Sequence, residues 1–217
     1  MYPGRALDGN GKHRMTDSDM ERLLALRLSP FIQLAYRLVD VPRKYHGNMF
    51  RHQGQTFFIL IDYGYTDHVL LKAAIIHDVL EDTDTAPEEI NRLEDGPAVL
   101  ALVQEVSRQP DESKDAFLGR VAGQGSFHAQ VLKCADRIAN LADLGFCTEY
   151  ERIVRTVDET IRHILPMAHR VNVNMARELE DLIASRLAIA RKMGASACAS
   201  ACASACADSG DDTCPEA

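Results

Sequence analysis

Apolar residues recur at three- and four-residue steps along most of this chain, and short polar stretches separate the runs. Ser18-Asp19-Met20-Glu21 reads as a capping box opening a first helix, with Leu23, Leu24 and Leu28 as its apolar positions. Ser29-Pro30 restarts the pattern, proline suiting a first helical turn, and Phe31, Leu34, Ala35 and Leu38 fall on the inner side. Residues 40–55 show no clean period and include Pro42, Arg43, His46, Gly47, His52 and Gly54, so a loop is predicted there. Thr56 to Ile61 is β-branched and aromatic, a composition that locally favours a strand. Asp67 to Glu81 predicts an amphipathic helix that buries Leu70, Ala73, Ala74 and Ile76.

The second half continues in the same manner. Thr85-Ala86-Pro87-Glu88 reads as another capping box, and Asp95-Gly96-Pro97 ends that helix and starts the next. Asp111 opens a short helix to Ala122, broken by Gly123 and Gly125. Ser126 caps a long helix that turns Val131, Leu132, Ala135, Ile138, Ala139 and Leu141 inward and stops at Gly145. Thr148-Glu149-Tyr150-Glu151 caps a helix that runs past Pro166 with a kink. Asn174 caps a last helix, with Leu179, Leu182, Ile183 and Leu187 inward and Gly194 as its stop. Strand signals are nearly absent. The expectation is a flexible N-terminus over residues 1–15, then an all-α domain of roughly eight to ten helices over 16–194.

After Gly194 the sequence repeats Ala-Ser-Ala-Cys three times, from Ala195 to Cys206, and then turns acidic and polar. Residues 195–217 are expected to form a disordered low-complexity tail. Were the repeat helical, Cys198, Cys202 and Cys206 would share one face, and a thiol-based metal or redox role is the alternative.

Composition narrows the class. At 217 residues, 46% apolar and 26% charged, the chain is long enough to bury one sizeable core as a soluble globular domain. A net charge of −8 weighs against a general nucleic-acid binder, so a polyanionic ligand would need a metal or a local basic cluster. Met1 to Met15 carries no apolar signal region, and the longest apolar run, Phe57 to Ile61, is too short to span a bilayer. The expectation is a cytoplasmic protein without membrane or nucleic-acid partners. Of six cysteines, Cys134 and Cys147 lie in the domain and four in the last twenty residues, a distribution that favours reduced thiols.

The chemistry concentrates in Ala73-Ala74-Ile75-Ile76-His77-Asp78-Val79-Leu80-Glu81-Asp82-Thr83. On a continuous helix, His77, Asp78, Glu81 and Asp82 fall within an arc of roughly 140°. Three acids together with no Lys or Arg among them repel one another unless a cation intervenes, and a divalent metal would supply it. His77 and Asp78 offer a nitrogen and an oxygen ligand, and Glu81 and Asp82 remain for proton transfer. The plain alternative is an acidic helix C-terminus running into a loop, which the helix dipole disfavours.

A second stripe lies in the long helix, where Lys133, Asp136, Arg137 and Asn140 recur at i, i+3, i+4 and i+7. A carboxylate between two cations and an amide suits a further metal ligand among anion-binding groups; an exposed salt-bridged stripe is the bland reading. Of the other histidines, His68 faces elsewhere on its helix and His128 heads a later one, whereas spacing alone does not separate His46 from His52.

His77-Asp78-Val79-Leu80-Glu81-Asp82-Thr83 followed by Lys133-Cys134-Ala135-Asp136-Arg137-Ile138-Ala139-Asn140 resembles the hydrolase domain of RelA/SpoT homologues, a helical HD-type domain. That family's motif sets an Arg nine residues before its first His, and Arg43 and His52 match the interval, which selects His52 over His46. The resemblance covers roughly residues 16 to 193. It implies that His52, His77, Asp78 and Asp136 hold Mn²⁺, and that Glu81 with Asp82 orients and activates the attacking water. Arg43 and Asn140 would hold the site and the nucleotide phosphates, with Lys133 and Arg137 stabilising charge on the leaving oxygens.

The implied activity is removal of the 3′-pyrophosphate of guanosine tetra- or pentaphosphate by a small, stand-alone hydrolase without a synthetase domain. Alternatives are an HD-type hydrolase of another phosphorylated nucleotide or cofactor, and a catalytically dead nucleotide-binding regulator. The sequence departs from the motif at Asp40-Val41, where the family has Gly-Gln. It departs again at Met49-Phe50-Arg51-His52-Gln53, where the family has Tyr-Ile-x-His-Pro.

Overall fold

The computed structural model describes residues 15–44 and 47–209, from 195 onward by backbone alone. The N-terminus expected to be flexible and His46 thus lie outside the described residues, apart from Met15. Among the described residues there is no strand, only an isolated bridge between Pro42 and Asn48, and twelve α-helical segments carry the fold. The first four are α1 (Asp17–Ala25), α2 (Ser29–Ala35), α3 (Met49–Asp62) and α4 (His68–Ile76). Then come α5 (Val79–Asp82), α6 (Pro87–Asn91), α7 (Gly96–Val106) and α8 (Lys114–Gln124). The last are α9 (Phe127–Asp143), α10 (Tyr150–Glu159), α11 (Leu165–Val171) and α12 (Val173–Ser209). No helix of the described residues is long and apolar enough to cross a membrane.

The organising element is α9. Ser126 caps it as expected, its hydroxyl accepting from the Ala129 N–H at 3.2 Å. Val131, Leu132, Cys134, Ala135, Ile138 and Leu141 are buried, and the helix packs against α3, α7, α8, α11 and α12. A helix surrounded in this way has no solvent face over its middle turns. Asp136 and Arg137 are therefore buried too, at 5% and 4% exposure. Charged residues stay buried only when paired or coordinated, so the stripe read from the sequence is no exposed salt-bridged face.

Several boundaries differ from the sequence reading. The loop predicted over 40–55 ends at Asn48, whose side chain accepts from the Arg51 N–H at 2.9 Å and starts α3. Residues 49–55 and the strand-like Thr56–Ile61 are therefore helical. Gln53, Thr56, Phe57 and Leu60 are buried at i, i+3, i+4 and i+7, and this one-sided packing overrides the local β preference. What remains of the loop is tight: the Arg43 N–H donates to the Gly47 carbonyl, and Gly47 adopts φ 67°, a region open to glycine.

Four caps sit elsewhere. The first box uses Thr16 with Asp19, not Ser18, because Thr16 already has the extended backbone of a cap. In the second, Glu89 returns to the Ala86 N–H and Thr85 is not the cap. Glu149 precedes α10 without a side-chain cap bond, so the expected box at Thr148 does not form. Asn172, not Asn174, caps the last helix, accepting from Asn174 and Met175.

Between α10 and α11 the chain forms a π-helical turn, Thr160–Ile164, just before Pro166. This is one of the recognised ways a helix accommodates a discontinuity where the kink was expected.

The predicted stop at Gly194 is not observed, since α12 continues to Ser209. The helix thus takes in the first part of the low-complexity segment, and residues 210–217 lie outside the described residues. Ala is the strongest helix former, the repeat holds no proline, and extending an existing helix avoids the cost of nucleation.

α8 starts at Lys114 behind a Ser113 cap instead of at Asp111, which adopts φ 63°. Arg120 on this helix pins the preceding loop. Its guanidinium donates to the carbonyls of Glu105 at 3.0 Å and Ser107 at 2.9 Å and pairs with Glu112. The Arg120 hydrogen bonds to its carboxylate, with the Gln109 backbone N–H, hold the Glu112 carboxyl down to about 2. A depressed carboxyl stabilises the fold above its unfolded value, and the contribution is lost as pH falls from about 4.5 through about 2. Arg120→Met should therefore melt at a lower temperature at pH 7, with a deficit that shrinks towards pH 2; thermal scans across that range test this.

Candidate active site

The site forms where α3, α9 and the junction of α4 with α5 meet. The predicted helix from Asp67 to Glu81 is broken at His77-Asp78, and Asp78 takes φ −102°, ψ 0°, the sparsely populated bridge region. The break separates what the helical wheel put together. His77 is buried and Asp78 half-buried at the base of the site, whereas Glu81 and Asp82 form the outward end of the short α5, whose Val79 is buried.

His52 arrives from α3 and Asp136 from α9, with His52 Nε2 3.0 Å from Asp136 Oδ1. His77 Nε2 lies 3.3 Å from Asp78 Oδ2 and 3.8 Å from Asp136 Oδ1, and His52 Nε2 is 3.8 Å from Asp78 Oδ2. The two imidazole rings stand 5.3 Å apart. His77 Nδ1–H donates to the Ala74 carbonyl at 2.9 Å, which turns Nε2 towards the carboxylates. That buried Nε2 has no hydrogen-bond partner.

His52, His77 and Asp78 offer ligand atoms within 4.8 Å of one another, and Asp136 Oδ1 adjoins both imidazoles. Nitrogen and oxygen donors in this number suit a borderline divalent cation. The electrostatics agree: burial opposes charge on His77, yet Asp78 and then Asp136 lift its pKa to about 9. Burial would raise Asp136 as well, but Lys133 and the imidazoles hold it well below the ordinary carboxylate range. Two carboxylates thus converge on two imidazoles, a donor set that a divalent cation would complete in place of protons on the rings.

Around it, Lys133 Nζ reaches Asp136 Oδ2 at 2.8 Å and lies 4.8 Å above the Phe117 ring. Asn140 donates from Nδ2 to Asp136 Oδ1, and Arg43 Nη2 donates to Asn140 Oδ1 at 2.6 Å. Arg43 also pairs with Asp143 at 3.1 Å. Lys133, Asp136, Arg137 and Asn140 all line one cavity, as their spacing implied, together with Arg43 and Lys114. Arg137 is turned into the wall, its Nη1 3.5 Å from Glu159 Oε2, and Glu159 also takes Lys114 at 2.8 Å. A second chamber shares Arg43, Lys114, Lys133, Asp136 and Asn140 and is closed by His52, Asp78 and Glu81.

Glu81 Oε1 accepts the Arg108 backbone N–H at 2.9 Å, which fixes it at the rim of that chamber. Asp82 does not line it, but partial burial and the neighbouring Asp78 and Glu81 raise its carboxyl above the ordinary range.

Sequence reasoning missed Lys44, Lys114 and Arg152 in the cavity wall, because each comes from a different loop or helix start and none shares a periodic pattern. It also missed the role of Gln53, noted only as a departure from a motif. The Gln53 Nε2 donates to Asp78 Oδ2 at 2.8 Å.

A helical frame carrying a His-Asp pair, a second buried histidine and a distant aspartate defines an HD-type hydrolase. No protein-family model matches the chain. The mouse guanosine-3′,5′-bis(diphosphate) 3′-pyrophosphohydrolase MESH1 is 40% identical over 129 residues, 57% of this chain and 72% of that protein. The Drosophila melanogaster MESH1 is 31% identical over 128 residues, 70% of its length. A guanosine-3′,5′-bis(diphosphate) 3′-pyrophosphohydrolase of Aquifex aeolicus is 29% identical over 184 residues, 76% of this chain. The chain spans only 25% of that bacterial protein and 49% of human MESH1. A solved structure of a metazoan SpoT ortholog that hydrolyzes ppGpp superposes with TM-score 0.64 at 26% identity, covering 80% of this chain and 97% of that one. The chain belongs to the MESH1-like guanosine-3′,5′-bis(diphosphate) 3′-pyrophosphohydrolase family.

Proposed function

We propose that this chain removes the 3′-pyrophosphate of guanosine tetra- or pentaphosphate with Mn²⁺ bound, acting in the cytoplasm on a small phosphorylated nucleotide and releasing GDP or GTP and pyrophosphate. The observation that carries the reading is the junction of two features in one cleft. A buried donor cluster, His52, His77, Asp78 and Asp136, opens onto a wall of Arg43, Lys44, Lys114, Lys133, Arg137 and Arg152. This local basic cluster lets a chain of net charge −8 receive a polyphosphate.

His52, His77, Asp78 and Asp136 would hold the divalent ion, which when bound supplies Lewis acidity to the attacked phosphoryl group and makes water acidic near neutral pH. Glu81, anchored by the Arg108 N–H, faces the chamber and takes the proton of the attacking water together with Asp82. Partial burial and the neighbouring Asp78 and Glu81 hold the Asp82 carboxyl above the ordinary range, which strengthens it as a base. The water oxygen bonds to the phosphorus attached at O3′, the P–O3′ bond breaks, and a proton goes to the departing 3′-oxygen. Lys133 faces the developing negative charge, and Arg43, held by Asn140 and Asp143, fixes the phosphates. Arg137 supports this wall from within, through Glu159, which also steadies Lys114.

Incubation with guanosine tetraphosphate and Mn²⁺, with products resolved by ion-exchange chromatography, tests the reading. GDP and pyrophosphate in equal amounts are expected. Inorganic phosphate as the only released product would place cleavage at a terminal phosphate, overturn this reading and favour an HD-type hydrolase of another phosphorylated nucleotide or cofactor. No turnover in a metal-loaded protein would leave a nucleotide-binding regulator.

A further inference from the structure

We infer that Gln53 positions Asp78 for the divalent cation and so sets the metal affinity of this site. The inference rests on the metal site proposed above and concerns a side chain outside the four donors. Gln53 follows His52 on α3 and is 1% exposed. A carboxylate oxygen only accepts, so the amide nitrogen must face Asp78, and the Nε2–H to Oδ2 distance is 2.8 Å between heavy atoms. The same Oδ2 is the oxygen that lies 3.3 Å from His77 Nε2 and 3.8 Å from His52 Nε2. Gln53 therefore holds the one Asp78 oxygen that faces both imidazoles.

Packing does not account for an amide here. The groove on the other side of Gln53 is apolar, lined by Leu28, Ile32, Phe57, Phe58 and Ile75, and Gln53 Oε1 is buried without a partner. A methionine or leucine would fill the same space and leave no acceptor unpaired. What the amide adds is the hydrogen bond to Asp78. Asp78 needs such a tether because it stands at the break between α4 and α5, outside either helix. Hydrogen bonds that orient ligating carboxylates are commonly worth about 10- to 100-fold in metal affinity.

The test is calorimetric titration of Mn²⁺ into metal-stripped full-length protein, for the natural chain, Gln53→Met and His77→Ala, with thermal melts of each metal-free protein. The natural chain is expected to take up one ion and His77→Ala to lose it. Gln53→Met should bind about 10- to 100-fold more weakly, with an unchanged or higher metal-free melting temperature, and excess Mn²⁺ should restore its turnover. Equal affinity in Gln53→Met would overturn the role of Gln53 while leaving the metal site standing. A lower metal-free melting temperature that accompanies the loss would make Gln53 a structural residue and also overturn it. A natural chain that binds no ion, or a His77→Ala chain that binds as tightly, would overturn the metal site itself and this inference with it.

Discussion

Replacing His52 by alanine should empty the site of its divalent ion and abolish turnover, whereas His46→Ala should retain most of both. His52 is 2% exposed, and its Nε2 is 3.0 Å from Asp136 and 3.8 Å from Asp78, at the centre of the donor cluster. Without the His52 imidazole, Asp136 would retain Lys133 and Asn140 as close partners and His77 Nε2 at 3.8 Å, one donor short of the set. Loss of a direct ligand should exceed the roughly 100-fold upper range seen for lost supporting partners. Metal analysis of the two purified variants after gel filtration decides the matter. An empty His46→Ala beside a loaded His52→Ala would show that the loop holds a different ligand.

Glu81→Gln and Asp82→Asn should keep the metal and bind substrate while turnover falls by about 10²- to 10⁴-fold, the usual worth of general acid–base catalysis. Both side chains stand on α5, past the break at His77-Asp78, and Glu81 is held towards the chamber by the Arg108 N–H instead of by the donor cluster. The amide replacements preserve shape and most hydrogen bonding but remove the base. Asp78→Asn and Asp136→Asn remove charge from the donor cluster itself, so their defect should be metal affinity, partly rescued by excess Mn²⁺. Titrating Mn²⁺ against turnover in all four variants separates the roles. If added metal restores Glu81→Gln and Asp82→Asn as readily as Asp78→Asn, the division between ligands and proton carriers fails.

Much of the cleft's lining was legible because its residues come in tight local groups. His77-Asp78 with Glu81-Asp82, and the i, i+3, i+4, i+7 stripe of Lys133, Asp136, Arg137 and Asn140, each sit within two helical turns. The stripe reached the cavity as a unit because α9 is one uninterrupted helix. The His-Asp-x-x-Glu-Asp group did not, because the helix breaks within it, and Glu81 took a partner from a loop 27 residues away. His46 and His52 had equal standing by spacing; the family resemblance chose between them, and the helical start at Asn48 is what places His52 against Asp136.

The sequence by itself determined the helical class, the central helix and the chemical character of the site. Periodicity, caps and ligand types are local properties, written within a few turns of chain. Only the tertiary structure decided that 49–61 is helical, since its strand-like residues gain more from one-sided burial against α4 and α9 than from local preference. It alone assembled the basic wall from Arg43, Lys44, Lys114 and Arg152, residues up to 109 positions apart that no local pattern links. It also gave Gln53 its partner, because a hydrogen bond across 25 residues depends on how α3 packs against the α4–α5 junction and on nothing either segment encodes alone.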